Sequence, residues 1–321
     1  MNRRQFLHTG SMIGLGTCLL PNLRQAAAAS TPGQARVVLA AAGVDPRQPD
    51  LKVLGSALDR GLEALFSRPA PQVWASLFSP RDVVGLKVNC LAGRGISTSP
   101  ILVELVVDRL RTAGVNPGQI IIWDRLNADL KRGGFPIITE AGRVRCFGND
   151  VAGYSRRLFE SGSVCSRLSN LVAETCTALI NLPVLKDHGI VGLSAAMKNW
   201  FGAIDNPNKY HDHCGDPFVA ETCSLPLLRD KIRLTICDAI TAQYEGGPPC
   251  MPQWCWPLQR LILATDMVAL DTVAWQIIED KRRQAGMASL REAGREPAYI
   301  RTAAGLGLGI ADPVRIEIVK V

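Results

Sequence analysis

The 321-residue sequence contains no Cys-x-x-Cys pair. That absence removes a thioredoxin-like active site and the cysteine run that holds a ferredoxin-type iron–sulfur cluster. It also lacks any block of five or six like charges, so nothing in its charge pattern points to nucleic acid as a partner. No charge-free apolar stretch reaches the ~20 residues needed to cross a bilayer, and no permanent membrane span is expected. Residues 1–29 contain neither Asp nor Glu. Charged residues make up only 20% of the chain against 47% hydrophobic ones, a balance that excludes intrinsic disorder as the main state.

What is present begins with an export signal. Arg3 and Arg4 precede Gln5, Phe6 and Leu7, a weakly apolar run covers residues 9–20, and small residues occupy 26–29. This order is that of a secretory signal, and the paired arginines with a glycine-diluted apolar run resemble the twin-arginine form. The expectation is passage through the twin-arginine export machinery, cleavage after Ala28 or Ala29 and a periplasmic protein of about 292 residues. Removing Arg3, Arg4 and Arg24 from the 36 Lys and Arg residues leaves 33 against 29 acidic residues, a net charge of +4. Nine of the ten cysteines lie beyond the signal, an odd number, so at least one stays unpaired within a single chain. Cys250 with Cys255 and Cys214 with Cys223 have spacings that a loop disulfide can close, whereas Cys90, Cys165, Cys176 and Cys237 sit among apolar neighbours as buried thiols.

Hydrophobic periodicity predicts strands at residues 35–42, 82–90, 119–123, 178–185, 231–240, 261–264 and 314–321. Helices are expected at 51–66, 100–113, 191–201 and 267–283, with Leu51, Leu54, Leu58, Leu62 and Leu65 on one face of the first. Residues 127–164 read as a loop-rich insertion with one short strand at 143–147, and 203–226 as a polar loop. Alternating strands and helices predict an α/β fold: one domain over 30–321 with a mostly parallel sheet and helices on both faces. The glycine-rich run 305–309 ends a helix rather than opening one, so it is no dinucleotide fingerprint.

Ligands of open α/β sheets bind beyond the carboxyl ends of the strands. Lys87 and Asn89 end one strand, Lys186, Asp187 and His188 end another, and Ser194, Lys198 and Asn199 follow on the expected helix, where 194 and 198 share a face. If those ends are neighbours, three lysines meet in one crevice fit for a small anionic ligand, carboxylate or phosphate. Crowded amines lower one another's pKa, which equips one as base or nucleophile. The plainer alternative is solvated strand-end lysines. On the crevice reading Lys186, His188 and Lys198 are the candidate catalytic groups, with Lys87, Asn89, Ser194, Asn199 and Asp238 as ligand contacts.

A second cluster, Tyr210 to Asp216, holds His211, His213 and Cys214. In an extended loop His211 and His213 face one side, and with His188 or Asp216 they would supply three ligands to a transition metal. A polar surface loop has the same composition. Asp266 reads as a helix N-cap and Asp271 as facing solvent or the pocket. Residues 248–256, with two Cys and two Trp, read as a rigid rim loop, with or without a disulfide staple. A metal or redox protein and a non-enzymatic binding or assembly partner therefore stand beside the anion-crevice reading.

The segments Val-Gly-Leu-Lys87-Val-Asn89, Ile-Asn-Leu-Pro-Val-Leu-Lys186-Asp-His188-Gly, Ala-Met-Lys198-Asn199-Trp-Phe-Gly and Asp266-Met-Val-Ala-Leu-Asp271 together resemble the domain-of-unknown-function family 362 over roughly residues 36–285. The resemblance implies a bacterial or archaeal protein. Many members carry ferredoxin-type motifs, which this sequence lacks. The family has no settled activity, so the resemblance assigns no catalytic residue. Its recurring Lys-x-Asn, Lys-x-His and Lys-Asn elements fall on Lys87/Asn89, Lys186/His188 and Lys198/Asn199, and most members have Thr where Asp187 stands.

Overall fold

A computed structural model describes residues 33–43 and 50–321; the expected signal segment lies outside the described residues. Twelve strands occur among them: β1 (Ala35–Ala41), β2 (Val84–Val88), β3 (Ile120–Trp123), β4 (Arg145–Cys146), β5 (Tyr154–Ser161), β6 (Val164–Ser169), β7 (Ala178–Leu182), β8 (Val184–His188), β9 (Gly192–Ser194), β10 (Ile232–Gln243), β11 (Cys255–Ala264) and β12 (Ile316–Lys320). Ten form one sheet, with the path β12-β1-β11-β10-β7-β2-β3-β4, while β8 pairs with β10 and β9. Pairing is parallel from β10 through β7, β2 and β3 to β4, and antiparallel where β11 meets β1 and β10. The mostly parallel α/β fold is as expected.

Two apolar layers cover the sheet, as a doubly buried parallel sheet requires. One carries the helix Leu51–Phe66, which Asp50 starts by accepting the amides of Lys52 and Val53 at 2.7 and 3.2 Å. Leu54, Leu58, Leu62 and Leu65 of this helix are buried, but Leu51, in its first turn, is exposed. The helices Ala70–Leu77 and Pro100–Thr112 complete that layer. The opposite layer is built on Phe218–Ser224, Met267–Gln284 and Tyr299–Gly305. No described helix is long and apolar enough to cross a membrane.

Local chemistry corrects several expectations. The run 178–185 is two strands, not one, because Pro183 has no N–H to donate to a central ladder. Its carbonyl instead accepts the Asp238 amide at 2.8 Å, and the chain steps from β2's flank to pair further along β10. The expected helix 191–201 does not form. Gly192, at φ 81°, turns the chain back so that β9 lies antiparallel on β8, and a 3-10 turn follows at Lys198–Ala203. A Cβ at Gly192 would lie 1.9 Å from the Arg295 carbonyl oxygen, so only glycine fits there.

The insertion is more ordered than its composition indicates. It holds the helices Asn127–Arg132 and Asn149–Ala152, the edge strand β4 and a separate β5–β6 hairpin. The stretch 203–226 likewise carries the helix Phe218–Ser224, whose Val219, Ala220 and Cys223 are buried. All nine described cysteines are free thiols. Cys214 and Cys223 do not face each other: the Cys214 thiol donates to the Gly294 carbonyl at 3.3 Å, and the Cys223 thiol to that of Met197 at 3.5 Å. Cys165, expected in the interior, is partly exposed.

Candidate functional site

The carboxyl ends of β2, β3 and β8 open onto a crevice of about 440 Å³. Lys87, Asn89, Lys186, His188, Ser194, Lys198 and Asn199 all line it, so every member of the three predicted strand-end groups except Asp187 is brought together there. Strand alternation explains both the convergence and the exception. In β8, Lys186 and His188 point to one face, and Asp187 points to the other. Asp187 is fully buried there, held by Arg295 and by the Gly247 amide at 3.1 Å, and burial lifts its carboxyl to about 6. Arg295 also binds Glu245, which binds Arg282.

The three lysines have different surroundings. Lys87, 1% exposed, spends its ammonium on the Asp124 carboxylate at 2.7 Å, the Val88 carbonyl at 2.6 Å and Asn199 Oδ1 at 3.2 Å. It is a neutralised, fully bonded cation. Lys186, also 1% exposed, has Asn89 Oδ1 at 2.9 Å and no carboxylate. Lys198, 9% exposed, makes neither a hydrogen bond nor an ion pair among the described residues; its Nζ sits 4.2 Å from the Phe201 ring centroid. Burial, opposed by Asp124, brings Lys186 down to about 8. Burial, reinforced by Lys186 and Lys87, brings Lys198 down to about 7.

An amide chain ties these groups together. Asn199 Oδ1 accepts from Lys87 and, at 3.1 Å, from Asn89 Nδ2, while Asn89 Oδ1 serves Lys186. Asn199 Nδ2 donates to Asn181 Oδ1 at 2.9 Å, and Asn181 Nδ2 to the Ala196 carbonyl at 2.8 Å. These contacts orient dipoles without adding a negative charge. The turn that presents Lys198 is fixed by Asp271, whose carboxyl accepts the amides of Ala196 at 2.6 Å and Met197 at 3.0 Å. Asp271 is therefore neither in solvent nor in the pocket, and burial outweighs those two bonds to lift its carboxyl to about 7. Gly202 allows the same turn to lie over Lys87, since a Cβ there would meet the Lys87 Cε at 2.8 Å.

Two imidazoles complete the wall in complementary forms. His188 Nδ1 accepts the amides of Ile190 and Val191, both at 3.3 Å, so its Nε2 carries the proton. Burial, with Lys198 next, pushes its pKa down to about 2 and keeps the ring neutral. His211 is the reverse: Nδ1 lies 3.0 Å from the Pro207 carbonyl, which can only accept, so Nε2 is the bare acceptor. Burial and Lys198 hold it below the usual imidazole range. The rings stack at 5.4 Å, giving one wall with a fixed donor and a fixed acceptor.

Three candidates fall elsewhere. Asp238 is not at a strand end, because β10 continues to Gln243. It accepts the Ser99 and Ile240 amides at 2.9 and 3.1 Å and lines a neighbouring hollow with Ser97 and Thr98. His213 and Cys214 do not share a side with His211, since both adopt left-handed backbone rather than extension, and His213 is exposed. Among the described residues no three His, Cys, Asp or Glu side chains are grouped to hold a metal ion. With Asn181 of the amide chain and the crevice-lining Asp129, Asp124 is a site residue that sequence reasoning missed. Asp124 directly follows β3, where the strand-end rule points. Asp266 caps its helix as expected, accepting the Ala269 amide at 2.9 Å.

The family described as a domain of unknown function, DUF362, matches residues 84–276. This chain belongs to the DUF362 family. The match runs from the first residue of β2 into the helix Met267–Gln284, and so contains every crevice residue named above. It leaves out β1 and the helix Leu51–Phe66, which the motif likeness had included. No curated protein matches the chain.

The depressed lysines make a prediction for the DUF362 chain itself. An unfolded lysine keeps its proton to about pH 10.4, whereas folded Lys198 and Lys186 release theirs near 7 and 8. Above pH 7 the unfolded state therefore binds more protons at these two sites, and their contribution to stability rises with pH. Buried thiols pull the other way, because unfolded cysteines lose protons as pH nears about 8.5 and the buried ones, such as Cys90, Cys223 and Cys237, hold theirs. The lysine contribution is therefore read as a difference: in urea unfolding of the ligand-free protein between about pH 7 and pH 8, Lys198→Met should gain less stability with rising pH than the wild type. Equal slopes in the two proteins would contradict the assigned burial of Lys198.

Proposed function

We propose that this DUF362 protein binds a small anion, carboxylate or phosphate, in the lysine crevice and acts on it by acid–base chemistry. One observation carries the reading: among the described residues the buried amines Lys186 and Lys198 form no ion pair, because the two carboxylates that line their cavity, Asp124 and Asp129, are bound to Lys87 and Arg132. Buried charge is tolerable when paired, and here the missing counter-charge is supplied by the ligand. Lys87 differs because Asp124 already neutralises it, so its part is to hold Asn199 and the field of the site. His188 Nε2–H then offers a donor to ligand oxygen, and His211 Nε2 accepts a proton. The protein acts in the periplasm, reached in folded form through the twin-arginine export machinery by way of Arg3 and Arg4.

Thermal unfolding at pH 6.5 with phosphate, acetate or small dicarboxylates tests the crevice. An anion at a hundredfold excess over its Kd adds about 2.7 kcal/mol to stability, a rise of roughly 4 °C for a chain of this size. Lys186→Ala should fold and lose that rise, which in the wild type should shrink as pH passes 8 and the amines discharge. An equal rise in the variant would contradict the site. Export is tested by replacing Arg3 and Arg4 with lysine and fractionating cells. The expected result is retention in the cytoplasm, and undiminished periplasmic protein would refute the twin-arginine route.

A further inference from the structure

Lys198 differs from the other lysines of the crevice in having nothing to hold. Lys87 is saturated by three acceptors and Lys186 leans on Asn89, but the Lys198 amine meets only the face of Phe201. Nine-tenths buried, opening into a cavity and bonded to no protein oxygen, its amine adds to the field an anion meets but has no acceptor to fix its direction. Its nitrogen is, however, free to meet an electrophile. Neighbours supply what addition to a carbonyl needs: a fixed N–H donor on His188, a bare acceptor nitrogen on His211, and the Lys186 ammonium.

We infer that Lys198 forms an imine with a small carbonyl compound that carries an anionic group, a 2-oxo acid or a phosphorylated aldehyde, while Lys186 and the Asn89 amide hold the anion. This rests on the anion-binding reading and adds the substrate class and the covalent residue. In the step, the neutral amine's lone pair forms the C–N bond and the carbonyl π-pair moves to oxygen, near the His188 donor. His211 takes the proton shed by nitrogen and returns it to that oxygen, giving the carbinolamine. Its hydroxyl takes a further proton from water and leaves as water, leaving a protonated iminium with no net oxidation or reduction. The lowered pKa of Lys198 keeps a large share of the amine nucleophilic at neutral pH.

The test uses the full mature chain with glyoxylate in one arm and glycolaldehyde phosphate in the other, each with sodium cyanoborohydride, followed by intact-mass measurement and peptide mapping. The expected result is one adduct per chain at Lys198, absent from a folded Lys198→Arg variant, formed faster in the arm whose anion fits. Lys87→Arg serves as a second variant that keeps the nucleophile. Adducts spread over exposed lysines at equal rates in wild type and Lys198→Arg would overturn the inference, and so would an adduct confined to Lys186. If either result came with the phosphate or acetate thermal shift intact, anion binding would stand and imine formation alone would fall. Loss of both signals would remove both readings.

Discussion

Two amines are held out of water at the end of a parallel sheet, and among the described residues no carboxylate pairs with either. Burial alone would drive such groups to the neutral form, and the fold spends several contacts on keeping them in place nonetheless. The amide chain from Lys186 through Asn89 and Asn199 to Asn181 gives direction without charge, so it orients the cavity and leaves its positive potential uncancelled. Asp271 lies beneath the turn and binds its amides rather than its lysine. Among the described residues the one carboxylate inside hydrogen-bond distance of a crevice lysine, Asp124, is committed to Lys87 and to the amides of Cys90 and Arg125.

The opposite face of β8 shows the same problem solved the other way. Asp187, one residue from Lys186, is locked into a buried lattice with Arg295, Glu245 and Arg282, where each charge has an opposite within hydrogen-bond reach. That lattice joins the strand under the crevice to the chain beyond residue 276, outside the region matched by the family. One strand thus separates a closed, self-neutralised network from an open, electropositive one. A hydrogen-bonded buried network favours one fixed geometry, so Lys186 and His188 sit on a rigid base, suited to a site that must place an anion and a proton acceptor together.

Much of this was legible in the residues. Period located the helix at 51–66 and the strands at 35–42 and 119–123 because those segments carry their own local signals: a leucine stripe and short apolar runs. The strand-end rule made Lys87, Lys186 and Lys198 candidates for one crevice on the condition that the strand ends are neighbours, a condition that the sheet order supplies. Where the reading failed, long-range or backbone effects overruled the pattern. Gly192 must turn beside the Arg295 carbonyl, more than a hundred residues away, and this broke the helix expected over 191–201. Pro183 split a run whose side chains look uniformly strand-like. The His211–Cys214 loop was read as extended, but left-handed backbone at His213 and Cys214 is not encoded in composition. As a result His211 joined the crevice through its stack with His188, and its two companions did not.

The central claim is that Lys198 is a buried, uncompensated amine, and it is read most directly by NMR titration of the protein with 13Cε-labelled lysine, with Lys198 assigned by its loss in Lys198→Arg. The account predicts that this resonance titrates near pH 7, well below the solvent-exposed lysines, and moves upward when an anion occupies the crevice. Titration above pH 10 alongside the surface lysines, unmoved by phosphate or carboxylate, would contradict it.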